Sequence, residues 1–219
     1  MKLDRQSLLL YAVTDRAYLK GQTLYSQVEK AILGGAGTIQ LREKALDTQS
    51  MLAEAKKLLP LCRSRGVPLI INDNIEVCML SGADGVHIGQ DDMDIFEARR
   101  ILGDNRIIGV SAHNVAEAEA AERGGADYIG AGAVFATGTK RDAGALSLST
   151  LTEICAAVSI PVVAIGGINA DNVIKLKGTG IAGAAVVSGV FAQPDIQLAA
   201  EILKSKLAFV AGQASSHHK

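Results

Sequence analysis

Short apolar runs alternate along the chain with longer segments in which apolar residues recur every three or four positions. Short runs with few polar residues are typical of strands buried on both faces of a parallel sheet. They predict eight strands, at 8–13, 38–41, 68–71, 85–88, 107–110, 128–131, 162–165 and 183–187. The helical spacing predicts eight helices, at 24–33, 48–65, 75–81, 95–102, 115–123, 148–158, 171–178 and 195–207.

This alternation predicts an α/β protein that folds as a single (β/α)8 TIM barrel. We expect residues 1–210 to form one catalytic domain and the polar segment 211–219 to be a disordered tail. The sequence Gly-Ala-Asp at 82–84 returns at 125–127, each time where a predicted helix gives way to a strand. An open, doubly wound sheet is the alternative, but no Gly-x-Gly-x-x-Gly turn follows the first strand.

Composition limits the cellular compartment and the classes of binding partner that we expect. The chain has 219 residues, 48% hydrophobic, with a formal net charge of -1, so we expect neither nucleic acid nor a membrane as partner. Its start lacks the apolar region of a signal peptide, and its three cysteines form no Cys-x-x-Cys pair. Both features predict a cytoplasmic protein. Small molecules are the partners we expect, and a homo-oligomer stays open.

Polar side chains cluster where the predicted strands end, which is where a barrel carries its chemistry. Arg42, Lys44 and Lys140 bring positive charge to that rim, and Asp73 and Asp92 bring carboxylates from neighbouring strands. A site with both signs of charge fits Mg²⁺ bound to a diphosphate, because the ion takes carboxylate and phosphate oxygens while cations neutralise the rest. Asn72 supplies a hydrogen-bonding amide beside them.

The last two strands end in small residues, Gly166-Gly167 and Val187-Ser188. Bare backbone N–H groups at such ends can hold a phosphate without a charged side chain, and the loops after strands seven and eight are the usual phosphate site of a barrel. The residues alone therefore predict two anion sites, one charged and metal-assisted, the other neutral and built from backbone.

Each of these features also has a structural interpretation. Asp73 and Asp92 precede predicted helices, and each could serve simply as a helix N-cap. The cationic triplet at 42–44 and the pair at 140–141 could be solvated loops, and the glycine-centred ends could be plain tight turns. His87 lies within an apolar strand and is most simply a core residue, whereas His113 could begin a helix beside Asn114.

Seven segments taken together resemble the ordered motifs of thiamine phosphate synthases. They are Gln40-Leu41-Arg42-Glu43-Lys44, Ile71-Asn72-Asp73, the run at 85–93, Gly109-Val110-Ser111-Ala112-His113, Thr137-Gly138-Thr139-Lys140, Ile165-Gly166-Gly167-Ile168 and Val186-Val187-Ser188. The resemblance covers about residues 8–207 and departs from the family pattern at Ala136 and Gly138. It implies a transferase that joins hydroxymethylpyrimidine diphosphate to thiazole phosphate and releases pyrophosphate, with Mg²⁺ as cofactor.

The resemblance also assigns roles to individual residues. For the pyrimidine diphosphate it implies Gln40, Leu41, Arg42, Glu43, Lys44, Asn72, Ser111 and Lys140, of which Arg42, Lys44, Ser111 and Lys140 are the candidate catalytic residues. For the thiazole phosphate it implies Thr137, Gly138, Thr139, Gly167, Val187 and Ser188. Asp73 and Asp92 are the implied Mg²⁺ ligands.

Two other functions remain open on the sequence, and a third, unrelated one is disfavoured. A thiazole tautomerase of the same fold would use His113 to move a proton, but such relatives are poorer in the Thr-x-Thr-Lys segment. A non-catalytic thiamine phosphate-binding protein would have little use for the carboxylates. A sugar-phosphate epimerase would need more histidine ligands than the two inside the predicted barrel, His87 and His113.

Overall fold

The structure is a computed structural model, and it describes residues 3–136 and 146–212. Eight parallel strands close into a barrel in which each strand pairs with the next in sequence and the eighth pairs with the first. The strands are β1 (Leu10–Val13), β2 (Thr38–Leu41), β3 (Leu69–Asn72), β4 (Gly85–Ile88), β5 (Ile107–Ala112), β6 (Tyr128–Gly132), β7 (Val162–Ile165) and β8 (Gly183–Val186). The predicted (β/α)8 barrel is confirmed.

Helices surround the barrel in the described part of the chain. They are α1 (Leu24–Leu33), α2 (Thr48–Ser64), α3 (Ile75–Ser81), α4 (Ile95–Leu102), α5 (Val115–Arg123), α6 (Leu148–Ala157), α7 (Ser188–Phe191) and α8 (Ile196–Val210), with 3-10 turns at Arg5–Leu8, Arg16–Tyr18 and Val173–Leu176. Within the described ranges, none of these helices has the length and apolar character that a membrane crossing requires. The tail 213–219 lies outside the described residues.

The predicted helix at 171–178 is wrong, because only the 3-10 turn Val173–Leu176 forms there. The side chain of Asn169 accepts hydrogen bonds from the backbone N–H groups of Asp171 and Asn172, which competes with helical bonding. Gly178 and Gly180 then adopt positive φ and end the segment. The short α7 was not predicted, because four residues are too few to show a helical period.

Side chains alternate along the strands between the inside of the barrel and the surrounding helices. The inner set is Leu8, Tyr11, Val13, Ile70, Ile107, Tyr128, Val163 and Ala185, whereas the larger apolar cluster lies between strands and helices. Because interior positions recur every second residue, Gln40, His87 and Ser111 also face inward, near the carboxyl ends of their strands. The interior thus changes from apolar to polar towards that end.

The repeated Gly-Ala-Asp sequence fixes neighbouring strands. Asp84 accepts a hydrogen bond from the backbone N–H of Leu69 at 3.0 Å, and Asp127 accepts one from Ile108 at 2.8 Å. Asp127 also binds the Arg99 guanidinium at 2.7 Å. Each aspartate therefore ties the start of its own strand to the preceding strand.

Asp127→Ala is expected to destabilise the barrel by about 1–3 kcal/mol, because the buried N–H of Ile108 loses its partner. For a chain of this size that corresponds to a fall in Tm of roughly 2–4 °C per kcal/mol. Thermal unfolding followed by circular dichroism measures it, with the exposed Asp104→Ala as the matched control. Equal melting temperatures for the two variants would contradict this role of Asp127.

Candidate active site

A cavity of about 790 Å³ opens at the carboxyl ends of the strands. Its lining includes residues from the loops after β2, β3, β4, β5, β7 and β8, so the barrel brings together positions far apart in sequence. Ten of the predicted site residues line it, namely Gln40, Arg42, Lys44, Asn72, Asp73, Asp92, Ser111, Gly167, Val187 and Ser188. The predicted Thr137, Gly138, Thr139 and Lys140 lie outside the described residues.

Two predicted binding residues, Leu41 and Glu43, do not point their side chains into this cavity. Leu41 is fully buried in the apolar cluster between strands and helices. The Glu43 carboxylate is buried and forms an ion pair with Arg16 at 2.6 Å. Burial raises the pKa of Glu43, and the nearby Arg16 charge opposes that rise. Glu43 therefore fastens the loop after β2 to the loop after β1.

Arg42 and Lys44 flank Glu43 and turn the other way, towards the cavity. The backbone N–H of Arg42 donates to the buried Thr14 hydroxyl at 3.0 Å, and its guanidinium lies 3.9 Å from Asp15. The Arg42 side chain is only 13% exposed, so it is not part of a solvated loop. These contacts orient Arg42 towards the cavity.

The two aspartates meet at the ends of β3 and β4 and do not cap helices. Helix α3 is capped by Asn74 and α4 by Asp94, while Asp92 accepts a hydrogen bond from the N–H of Gly89 at 2.7 Å. Burial and the adjacent Asp92 carboxyl raise the pKa of Asp73 to about 6. A close carboxyl pair of this kind favours a cation between its oxygens.

The donor set at this pair fits Mg²⁺. Both groups are hard oxygen donors, and Asn72 donates to the Asp73 carboxylate at 2.5 Å, which orients it. In the ranges 3–136 and 146–212, no group of three or more His, Cys, Asp or Glu residues is placed to hold a metal. Two carboxylates suit an ion that keeps its other positions for phosphate oxygens and water.

The glycine-centred ends form the opposite side of the cavity. Gly166 and Gly167 have φ of 103° and 63°, which glycine adopts without strain. The conformation of this turn therefore depends on glycine at both positions. Asn172 donates to the carbonyl of Gly167 at 2.8 Å and so fixes the orientation of the peptide. Hydrogen bonds among the described residues leave the N–H groups of Gly166 and Gly167 unused. Ser188 begins α7 beside them, where first-turn N–H groups lack intrahelical acceptors.

The two histidines of the barrel have different roles. His113 precedes the cap residue Asn114, and its Nδ1 lies 2.9 Å from Glu117, so it supports the start of α5 while lining the cavity. His87 is buried, as its apolar strand predicts, but its ring contacts the Tyr128 hydroxyl and the Ser111 hydroxyl. It is therefore part of the floor of the site.

Tyr11, Gln90 and Tyr128 also belong to the site, although the sequence pattern did not predict them there. Tyr11 and Tyr128 lie in apolar runs and look like core residues, and only the barrel closure brings their hydroxyls within 2.8 Å. Gln90 donates to the carbonyl of Ser111 at 2.6 Å. The sequence did hold a signal for Gln90, since this residue follows the end of a predicted strand and directly precedes Asp91 and Asp92.

Comparison with known proteins gives a consistent result. Residues 10–190 match the family described as thiamine monophosphate synthase. The thiamine-phosphate synthase of Ruminiclostridium cellulolyticum is 49% identical over 194 residues, covering 89% of this chain and 92% of the relative, and that of Chloroflexus aurantiacus is 49% identical over 197 residues, covering 90% and 91%. The solved thiamine phosphate pyrophosphorylase of Pyrococcus furiosus superposes with a TM-score of 0.87 at 41% identity, covering 94% of this chain and 98% of that structure.

Proposed function

The chain belongs to the thiamine monophosphate synthase family, and from that premise we propose how its cavity works. It is an enzyme, a transferase that joins a pyrimidine and a thiazole moiety. We assign it the reaction of hydroxymethylpyrimidine diphosphate with thiazole phosphate, which gives thiamine phosphate and pyrophosphate. The observation that supports this assignment is that one cavity is lined by Arg42, Lys44 and two carboxylates after β2, β3 and β4, and by the glycine-centred ends of β7 and β8 across the barrel.

The charged side suits the pyrimidine diphosphate. Arg42 can bind two phosphate oxygens with its planar guanidinium, and Lys44 adds a point charge. Gln40, Asn72 and Ser111 supply uncharged hydrogen-bonding groups that suit the edge of a pyrimidine ring. The resemblance adds Lys140, together with Leu41 and Glu43, whose side chains point away and which would act through their backbone.

Asp73 and Asp92 are the residues that would hold Mg²⁺. When bound, the ion supplies positive charge to the oxygens of the diphosphate. Burial, and after it the neighbouring Asp92 carboxyl, raise the pKa of Asp73, so a cation that shares both carboxylates would stabilise their charged forms. The proximity of Lys44, which acts against that rise, places a further positive charge beside the same oxygens.

The neutral side suits a monophosphate. The N–H groups of Gly167 and Ser188 can donate to its oxygens, and Val187 contributes the short apolar surface between them. The resemblance adds Thr137, Gly138 and Thr139 on this side. A dianion bound by backbone dipoles leaves the protein's cations to the diphosphate, so the two substrates are directed to different ends.

This arrangement requires no covalent bond between protein and substrate. The bond from the exocyclic CH₂ of the pyrimidine to the diphosphate oxygen breaks, and the amino group of the ring donates electrons to that carbon. The thiazole nitrogen then forms the new bond to it. The protein neutralises the charge that grows on the leaving diphosphate through Arg42, Lys44 and Lys140, and it holds the two reactants in line.

Pyrophosphate release tests this function. We expect purified protein to release pyrophosphate with Mg²⁺ and both substrates, and to release little when either substrate or Mg²⁺ is withheld. Conversion of a thiazole tautomer without pyrophosphate would support the isomerase instead. Binding of thiamine phosphate with no turnover under Mg²⁺ would support a sensor.

Small-molecule substrates and a cytoplasmic location complete the proposal. Cys62 and Cys78 are buried free thiols, and burial raises the pKa of both, to about 12 and about 11. Thiols of this kind suit a reducing compartment.

A further inference from the structure

A continuous row of hydrogen bonds crosses the barrel beneath the cavity. Gln40 donates from Nε2 to the Tyr11 hydroxyl at 2.8 Å, and the hydroxyls of Tyr11 and Tyr128 are 2.8 Å apart. The Tyr128 hydroxyl lies 2.9 Å from His87 Nδ1, and His87 Nε2 lies 3.0 Å from Ser111 Oγ. The row therefore joins Gln40 to Ser111 through Tyr11, Tyr128 and His87, three groups that the proposed reaction does not use. Of these three, Tyr11 and His87 also reach the cavity wall.

Glycines in the neighbouring strands make room for two rings of this row, those of Tyr128 and His87. A Cβ at Gly109 would overlap the Tyr128 ring, and one at Gly130 would lie 2.9 Å from His87 Cε1. Tyr11 and Tyr128 are each no more than 1% exposed. Glycines on two adjacent strands thus make room for buried polar rings where a barrel ordinarily packs aliphatic side chains.

Each phenol in the row has a single proton to give. Burial raises the pKa of both Tyr11 and Tyr128 far above its ordinary value, so both stay neutral. Because Gln40 donates to the Tyr11 oxygen, the Tyr11 proton is available for Tyr128, and the Tyr128 proton for His87 Nδ1. The arrangement in which every one of these protons has an acceptor runs in a single direction, from Gln40 through Tyr11 and Tyr128 to His87.

We propose that Tyr128 and His87 are positioning residues that make Ser111 a hydrogen-bond donor to the pyrimidine substrate. With Nδ1 accepting from Tyr128, His87 carries its proton on Nε2 and donates it to Ser111 Oγ. The Ser111 proton is then directed at an acceptor in the cavity, such as a ring nitrogen of the pyrimidine. This inference rests on the proposed function, which places that substrate beside Ser111.

The first test compares Tyr128→Phe with Tyr25→Phe, in which the phenol is exposed on α1. Without the Tyr128 hydroxyl, Ser111 should lose its hydrogen bond to the substrate. Loss of one hydrogen bond predicts a rise of about five- to tenfold in KM for the pyrimidine diphosphate. KM for the thiazole phosphate should change by less than about twofold, and Tyr25→Phe should change neither. Equal rises for both substrates would show general structural damage and overturn the inference.

A double-mutant cycle tests whether Tyr128 acts through Ser111. In a Ser111→Ala background, Tyr128→Phe should have almost no further effect on KM for the pyrimidine diphosphate. A full additional effect would mean that Tyr128 acts by another route, and the inference fails.

The second test needs neither substrate nor turnover, and it works on the unchanged protein. In ¹⁵N NMR at mildly alkaline pH, the His87 signal, assigned by its loss in His87→Asn, should show a bare Nδ1 and a protonated Nε2. The opposite tautomer would overturn the inference even if pyrophosphate release upholds the proposed function. The expected tautomer without any KM response in Tyr128→Phe would also overturn it, since Ser111 would then not act on the substrate.

Discussion

Asp73→Asn and Asp92→Asn are each expected to lower Mg²⁺-dependent turnover by on the order of a hundredfold, because removal of a charged oxygen ligand weakens the charge stabilisation of the leaving diphosphate. Asparagine keeps the shape of each site. Asp73 has a φ of 61°, which asparagine tolerates well, and the asparagine oxygen at 92 can still accept from the Gly89 N–H. The Mg²⁺ concentration for half-maximal rate should rise in both variants.

The matched control is Asp94→Asn, which changes a carboxylate two residues from Asp92 to an equally good helix cap. It should leave the Mg²⁺ titration unchanged. Thermal unfolding provides a second readout: without Mg²⁺, Asp73→Asn should be no less stable than the parent, because it removes a half-buried charge and its repulsion from Asp92. If both variants keep the parent's Mg²⁺ titration, the metal assignment is wrong.

Ser188→Asp is expected to weaken binding of the thiazole phosphate by at least about fivefold and by as much as several hundredfold. A like-charge pair at about 4 Å with an effective dielectric near 20 costs on the order of 4 kcal/mol, and a quarter of that already gives the lower limit. The affinity for the pyrimidine diphosphate should change little, because that substrate is held on the opposite side of the cavity. Calorimetric titration of each substrate measures both affinities.

Ser188→Ala is the control, since it removes the hydroxyl but keeps the backbone N–H, and it should bind the thiazole phosphate almost normally. Position 188 is a cleaner choice than Gly167. A Cβ at Gly167 would overlap the carbonyl of Ala136, so any substitution there would also disturb the loop after β6. Equal losses for both substrates in Ser188→Asp would rule out a dedicated monophosphate site.

Local signals explain which elements the sequence predicts well. The bounds of α1, α3, α4 and α5 follow from the sequence because Thr23, Asn74, Asp94 and Asn114 cap them and glycines follow them. Strand ends are shifted by one or two residues in several cases, since pairing with neighbours decides where a strand ends. At 171–178, side-chain hydrogen bonds of the asparagines outweighed the apolar spacing.

In the site, too, features set by local sequence could be predicted, whereas contacts between distant residues could not. Its charged and glycine-centred residues could be predicted because parallel strands deliver their carboxyl ends to one rim. The direction of the Glu43 side chain could not, since it depends on Arg16 from a different loop. Nor could the Tyr11–Tyr128 contact, because it joins residues 117 positions apart across the inside of the barrel. Such contacts exist only once the register of all eight strands is set.

The most direct test of the central claim is the stoichiometry of the two products in a single reaction mixture. With Mg²⁺, hydroxymethylpyrimidine diphosphate and thiazole phosphate, mass spectrometry of the thiamine phosphate and an enzymatic assay of the pyrophosphate should give equal amounts throughout the time course. Pyrophosphate formed without thiamine phosphate, or thiazole phosphate consumed without either product, would contradict the proposed transferase reaction.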